Sequence, residues 1–235
     1  MKIDVLTLFP NMFKSPFAES IIKRAVDQNK VKINIHNLRK WTKDKHKTVD
    51  GRPYGGGPGM ILMVEPIYRA ITALKLKNKN EKLKVILLSP QGKVFNQQKA
   101  QQLAKQKHLV FVCGHYEGVD ERIRQHLVDE EISIGDYILT GGELPAMVII
   151  DSVARLIPGV LKKKEAVQQE SFSKLKIENS KIENLLEHPQ YTRPADFKGW
   201  KVPTILLSGN HKKIKQWQKK QALKKTKNQR PDLLP

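Results

Sequence analysis

Two short, unbroken apolar runs constrain this chain most: Val85-Ile86-Leu87-Leu88 and Leu109-Val110-Phe111-Val112. A strand with one wet face alternates apolar and polar residues. A strand that is apolar at every position must be covered on both faces, as in a parallel sheet. Lys2 to Leu8 and Val31 to His36 read as further strands. The stretch between them carries Phe13, Phe17, Ile21 and Ala25 at helical spacing. A polar helix is expected from Asn96 to Lys107, with Asn96 as its N-cap. Helices are also expected from Val119 to Val128 and from Leu144 to Ile157. Strands alternating with helices give an α/β fold, a parallel sheet with helices on both faces.

The pattern breaks after Gly159. From Lys162 to Glu187 the chain is polar and carries a near-repeat, Lys176-Ile177-Glu178-Asn179 and Lys181-Ile182-Glu183-Asn184. This segment reads as a mobile or partly helical linker. Beyond it lie the apolar run Thr204-Ile205-Leu206-Leu207 and a lysine-rich helix capped by Asn210. The expected division is a main domain at 1–161, a flexible linker at 162–187 and a small, mainly helical C-terminal domain at 188–235.

Charge narrows the partner. With 43 Lys and Arg against 23 Asp and Glu, the net charge is +20, an excess that favours a polyanion, nucleic acid first. Cys113 is the single cysteine. It excludes an intramolecular disulfide and fits a reducing compartment. The first strand is too short and too charged for a signal peptide, and no run reaches membrane-span length. A cytoplasmic protein with no membrane partner is expected.

Two glycine-bearing blocks suggest a pocket built largely from main chain. They are Gly114-His115-Tyr116-Glu117-Gly118-Val119-Asp120-Glu121-Arg122 and Ser133-Ile134-Gly135-Asp136-Tyr137-Ile138-Leu139-Thr140-Gly141-Gly142-Glu143-Leu144. Neither is a dinucleotide fingerprint or a P-loop. Bland readings stand beside the functional ones. Gly141-Gly142 suits a turn before a helix, and Tyr137 suits a core. Cys113 ends a buried strand and reads as packing rather than a nucleophile. His115 reads as solvent-facing, and Asp120-Glu121-Arg122 as a charged first helical turn.

The chain resembles the bacterial tRNA (guanine-N1)-methyltransferases that modify guanine 37 beside the anticodon. Both glycine blocks carry the resemblance. So do Leu6-Thr7-Leu8-Phe9-Pro10, Arg52-Pro53-Tyr54-Gly55-Gly56-Gly57-Pro58-Gly59-Met60, Ser89-Pro90-Gln91-Gly92, Asp151-Ser152-Val153-Ala154-Arg155, Pro158-Gly159-Val160, Pro189-Gln190-Tyr191-Thr192-Arg193-Pro194 and Leu207-Ser208-Gly209-Asn210-His211. The resemblance implies a SPOUT fold with a deep trefoil knot, a homodimer with its active site between subunits, and S-adenosyl-L-methionine as methyl donor. The donor's adenine would meet Ile134, Gly135, Tyr137, Ile138 and Leu139, with Ser133 at the start of the same loop and Gly141 and Gly142 keeping it slim. Leu88, Ser89 and Pro90 would form another wall. Gly114, Tyr116, Glu117 and Gly118 would lie by the ribose and methionine portion. Glu117 and Asp136 would offer a carboxylate to the sulfonium.

Guanine N1 carries a proton that must leave before it attacks, so a base is needed, a contribution of about 10²–10⁴-fold. The resemblance assigns that base to Glu170, where the family commonly has Asp, and the support of charge on the guanine to Arg155. It also carries over magnesium dependence, although no metal-ligand cluster stands out in the sequence. Lys162-Lys163-Lys164 and the lysines from Lys212 to Lys227 would contact tRNA phosphates, which position without specifying. Two alternatives are a knotted methyltransferase acting on another RNA and a non-catalytic RNA-binding protein.

Overall fold

The computed structural model describes residues 1–161, 167, 170–177 and 180–234. The chain divides into two compact units, Met1–Lys162 and Lys163–Pro235. In the first, strands β1 (Lys2–Thr7), β2 (Lys32–Asn37), β5 (Leu83–Val94), β6 (His108–Cys113) and β7 (Glu130–Ser133) form one sheet in the order β2-β1-β6-β5-β7. Every pairing in it is parallel. The short strands β3 (Asp50–Gly51) and β4 (Ile61–Leu62) pair separately. The helices are α1 (Lys14–Phe17), α2 (Ser20–Asp27), α3 (Val64–Lys77), α4 (Gln97–Leu103), α5 (Glu121–His126) and α6 (Glu143–Ala154).

The unbroken apolar runs explain the layers. Successive side chains of a strand point to opposite faces. Ile86, Leu88, Leu109, Phe111 and Cys113 therefore join one core, with Ala100 and Leu103 of α4 and Ala146, Ile149, Ile150 and Val153 of α6. Val85, Leu87, Val110 and Val112 join a second, with Ile67, Ala70, Ile71 and Leu74 of α3 and Ile123 of α5. Each fully buried Leu, Ile or Phe adds about 1.5–3 kcal/mol. Helices cover both faces, as the runs require.

Two local expectations are corrected. The helix expected across Phe13, Phe17, Ile21 and Ala25 breaks into α1 and α2, where Ser20 takes a positive φ of 54°. Asn96 does cap α4, accepting the Lys99 N–H at 2.9 Å, but α4 ends at Leu103 and α5 spans only Glu121–His126.

In the second unit, β8 (Ser173–Ile177) and β9 (Ser180–Leu185) form an antiparallel hairpin within the segment read as a linker. The near-repeat supplies the two arms, with Lys176 opposite Lys181 and Ile177 opposite Ser180. Strands β10 (Asp196–Phe197) and β11 (Trp200–Lys201) make a second hairpin. Helices α7 (Thr204–Leu207) and α8 (His211–Gln229) follow, and Asn210 caps α8 through the Lys213 N–H. Thr226, fully buried on α8, accepts the Leu186 N–H at 2.9 Å and donates to the Ala222 carbonyl. The Lys162-Lys163-Lys164 run lies outside the described residues. Among the described residues, no helix is long and apolar enough to cross a membrane.

Candidate functional site

A cavity of about 330 Å³ opens where β6 and β7 end and β5 bulges after Leu88. Ligands of open parallel sheets gather at these carboxyl ends. Three loops build it. The first is Ser89-Pro90-Gln91-Gly92, where β5 bulges away from β7: Leu88 and Lys93 both stand beside Ile132. The return is so close that a Cβ on Gly92 would lie 2.5 Å from the Ile132 nitrogen. Only glycine lets the chain loop outward there and still rejoin the sheet.

The other two loops are the glycine blocks, and they clasp main chain to main chain. His115 bridges to Gly141 in antiparallel fashion, and the Gly142 N–H donates to the Gly114 carbonyl at 2.8 Å. A Cβ on Gly142 would stand 2.7 Å from the Cys113 Cα and 2.9 Å from the Gly114 nitrogen. Backbone cannot move aside as a flexible side chain can, so this glycine sets the spacing of the clasp.

Leu88, Ser89, Pro90, Gly114, Tyr116, Glu117, Gly118, Ser133, Ile134, Gly135, Tyr137, Ile138, Leu139, Gly141 and Gly142 all line the cavity. Asp136 does not: it is exposed and outside the lining, which leaves Glu117 as the carboxylate on the wall. Tyr137 is half-exposed rather than core. The Glu117 side chain rests against Gly59, and its N–H donates to the Met60 carbonyl at 3.0 Å. The Arg52–Met60 loop is thereby tied to the cavity wall.

The structure adds residues that spacing did not reveal. Arg124 lines the cavity, with its Nε donating to both Glu131 carboxylate oxygens at 3.1 and 3.0 Å. Glu143 is buried in the first turn of α6 and accepts the Thr7 hydroxyl at 2.7 Å. Thr7 in turn accepts the Phe9 N–H at 2.8 Å, and the Phe9 ring leans on His115. A polar residue at the end of an apolar strand and a charge at a helix start were the available signals, and both look like ordinary termini. His115 is not solvent-facing as expected. Its Nδ1 is buried and, among the described residues, has no hydrogen-bond partner. Both His115 Nδ1 and Glu143 Oε2 crowd the space a Gly141 side chain would take.

Burial, reinforced by the nearby Glu143 charge, pushes the Cys113 thiol well above its usual range. A neutral, buried thiol packs and does not attack. Asp120 behaves as a helix cap, accepting the Arg122 N–H at 2.9 Å and pairing with its guanidinium. The Arg122 hydrogen bond holds the Asp120 carboxyl below the usual range. Arg155 stands at the C-terminal end of α6 in the first unit, and Glu170 belongs to the second. Among the described residues, no group of three or more His, Cys, Asp or Glu could hold a metal ion.

Comparison with known proteins gives these loops a context. Residues 1–235 match the tRNA (Guanine-1)-methyltransferase TrmD family. The tRNA (guanine-N(1)-)-methyltransferase of Dehalococcoides mccartyi is 55% identical over 234 residues, spanning 100% of this chain and 90% of the relative. Those of Dictyoglomus turgidum and Listeria monocytogenes are 54% and 53% identical, again across 100% of this chain and over 90% and 92% of their own lengths. With the match unbroken from end to end, the chain belongs to the tRNA (guanine-1)-methyltransferase TrmD family.

Proposed function

We propose that this chain is a tRNA (guanine-N1)-methyltransferase that moves the methyl group of S-adenosyl-L-methionine to N1 of guanine 37, beside the anticodon. The observation that carries the reading is the clasp of the two glycine loops over a cavity where β6 and β7 end and β5 bulges. The residues fit the donor. The cavity is of small-ligand size, its walls are largely main chain, and Gly142 lets the two loops approach closely. Peptide N–H and C=O groups from 134 to 139 suit a flat adenine, and Glu117 suits a cation. When bound, the donor supplies an electrophilic methyl group on a sulfonium.

The chain's own residues do the rest. Glu170 would take the N1 proton, freeing N1 to accept the methyl group that the bound donor would supply, with the donor's positive charge neutralised as the methyl leaves it. Arg155 stabilises negative charge developing on the guanine oxygen. The second unit grips the tRNA: residues 188–235 hold twelve Lys and Arg against two Asp. We assign the first unit to a SPOUT fold with a trefoil knot; the main-chain clasp between the loops after β6 and β7 supports that assignment. Knots are rare enough that the topology would otherwise be excluded.

The reading includes a homodimer, which α6 supports. At 1.5 Å per residue, Arg155 lies about 18 Å from Glu143, beyond the reach of a side chain to its own cavity. The outward stripe of α6, with Leu144 and Val148, is exposed and apolar. A second copy would cover the exposed Leu144 and Val148 and supply a nearby Arg155. The enzyme works in the cytoplasm, where its tRNA resides.

The test is methyl transfer to a tRNA transcript with guanines at 36 and 37, against one with guanine 37 replaced. Product on the first alone is expected; equal product on both overturns the assignment. Glu170→Ala should remove most turnover while donor binding persists in calorimetric titration.

A further inference from the structure

The β10–β11 hairpin displays two aromatic rings that no core absorbs. Its turn residues, Lys198 and Gly199, both take positive φ, 54° and 85°. That is the pattern of a tight type I′ turn, whose twist matches its strands. A non-glycine residue held in this conformation is strained and marks a shape that its surroundings maintain. The Asp196 carboxylate accepts the Gly199 N–H at 2.8 Å, and the Val202 N–H reaches the Ala195 carbonyl at 2.9 Å, so the hairpin is closed at both ends. Phe197 and Trp200 stand directly opposite each other. Cross-strand partners share one face, and their ring centroids are 5.9 Å apart.

Phe197 is 51% exposed and Trp200 75%. One cation stands close to them: the Lys198 ammonium lies 5.6 Å from the centre of the Phe197 ring, whereas Lys201 faces the other side of the hairpin, opposite Asp196. A core pair would be covered, and a hairpin needing only a cross-strand contact would not require rings this open. Exposed rings with an ammonium group beside them match a nucleotide instead: the base stacks on the exposed ring, and the phosphate meets the cation. Complementary charge argues for an RNA occupant, since twelve of the fourteen charged Lys, Arg, Asp and Glu residues in 188–235 are basic.

We propose that the Phe197–Trp200 hairpin is a stacking platform for an unpaired nucleotide of the substrate tRNA, distinct from the target guanine, with Lys198 at its phosphate. This rests on the reading of the chain as a tRNA methyltransferase.

The experiment uses the full chain and compares Trp200→Ala and Trp200→Phe with the parent protein. Trp200→Ala should raise the KM for tRNA by about 5- to 150-fold, the range for losing one base–aromatic stack. Donor affinity, kcat at saturating tRNA and particle mass in sedimentation should stay at parent values, and Trp200→Phe should recover most of the loss. A second measurement does not depend on Trp200→Ala folding. With Trp41 and Trp217 replaced by Phe, the remaining Trp200 fluorescence should be quenched as tRNA transcript is added. A tRNA KM within twofold of the parent, or no quenching, overturns the proposal. A changed particle mass also overturns it and makes the hairpin an interface between copies. If the parent protein fails to methylate tRNA, the functional reading itself falls. If it methylates normally and the variants match it, only the platform falls.

Discussion

Single residues at the carboxyl end of the sheet bear more of the site than their positions suggest. Thr7 gives its proton to the buried Glu143 and takes one from the Phe9 N–H. Thr7→Val would leave a buried carboxylate short of a donor and an amide without an acceptor. The expected loss is about 2–3 kcal/mol, read from denaturant unfolding. Glu143→Gln keeps an accepting oxygen and should lose less; a Thr7→Val variant as stable as the parent would show that the pair does not brace the loop. At the opposite end of β1, burial tends to raise the Asp4 carboxyl, but hydrogen bonds from His36, His108 and Asn34 prevail and hold it at about 2. The contacts are close, 2.6 Å to His36, 2.5 Å to His108 and 2.9 Å to Asn34, and Lys2 lies 3.9 Å away. A carboxyl with a lowered folded pKa stabilises the fold at pH above its ordinary value of 3.8 and ceases to do so as pH falls towards 2. The contribution is about 2 kcal/mol. Unfolding curves from pH 6 to pH 2 should therefore steepen below pH 4 in the parent more than in Asp4→Asn, and parallel curves would contradict this.

Among the elements, the glycine clasp sets the shape of the cavity. Gly142→Ala would drive a methyl group into the Cys113 and Gly114 backbone. Overpacking of this kind costs about 1–3 kcal/mol, and here the strain falls on the loops that line the cavity. Donor affinity should drop by about tenfold or more in calorimetric titration, with a lowered melting temperature; unchanged affinity would mean that the loops can separate without harm. The elements also separate what a linear reading can reach from what it cannot. Val85–Leu88 and Leu109–Val112 announced buried parallel strands because burial on both faces demands unbroken apolarity. Asn96 and Asn210 announced helix starts because a cap acts within three residues. Ser20 did not announce the break between α1 and α2, since the apolar spacing continues through it. The repeat around Lys176 and Lys181 suggested a linker because its pairing, not its composition, makes it a hairpin. The lining residues in the glycine blocks were legible as loops. Arg124, Glu143 and His115 were not, because each becomes informative only through a partner elsewhere in the chain.

For the whole molecule, α6 poses a problem that one chain does not solve. Its start lies at the cavity and its end carries Arg155, about 18 Å away. Its exposed apolar stripe, Leu144 and Val148, lies in the first half of the helix. A two-fold dimer packs one surface patch against its own copy. Antiparallel packing of α6 against α6 would cover both stripes and bring the Arg155 of one copy towards the cavity of the other. This arrangement makes a prediction that a site within one chain does not. Gly142→Val should force the two lining loops apart and spoil donor binding, and Arg155→Ala should remove the charge support, so each variant alone should be inactive. Unfolded and refolded together, they form mixed dimers in which one of the two sites takes its cavity from the Arg155→Ala chain and its arginine from the Gly142→Val chain. Half the dimers are mixed and each has one intact site, so turnover should recover to about a quarter of the parent value. Recovery on mixing, with neither variant active alone, identifies a site shared between copies. A mixture that stays inactive while sedimenting as a dimer places donor and arginine in one chain, and the exposed stripe of α6 would then need another partner.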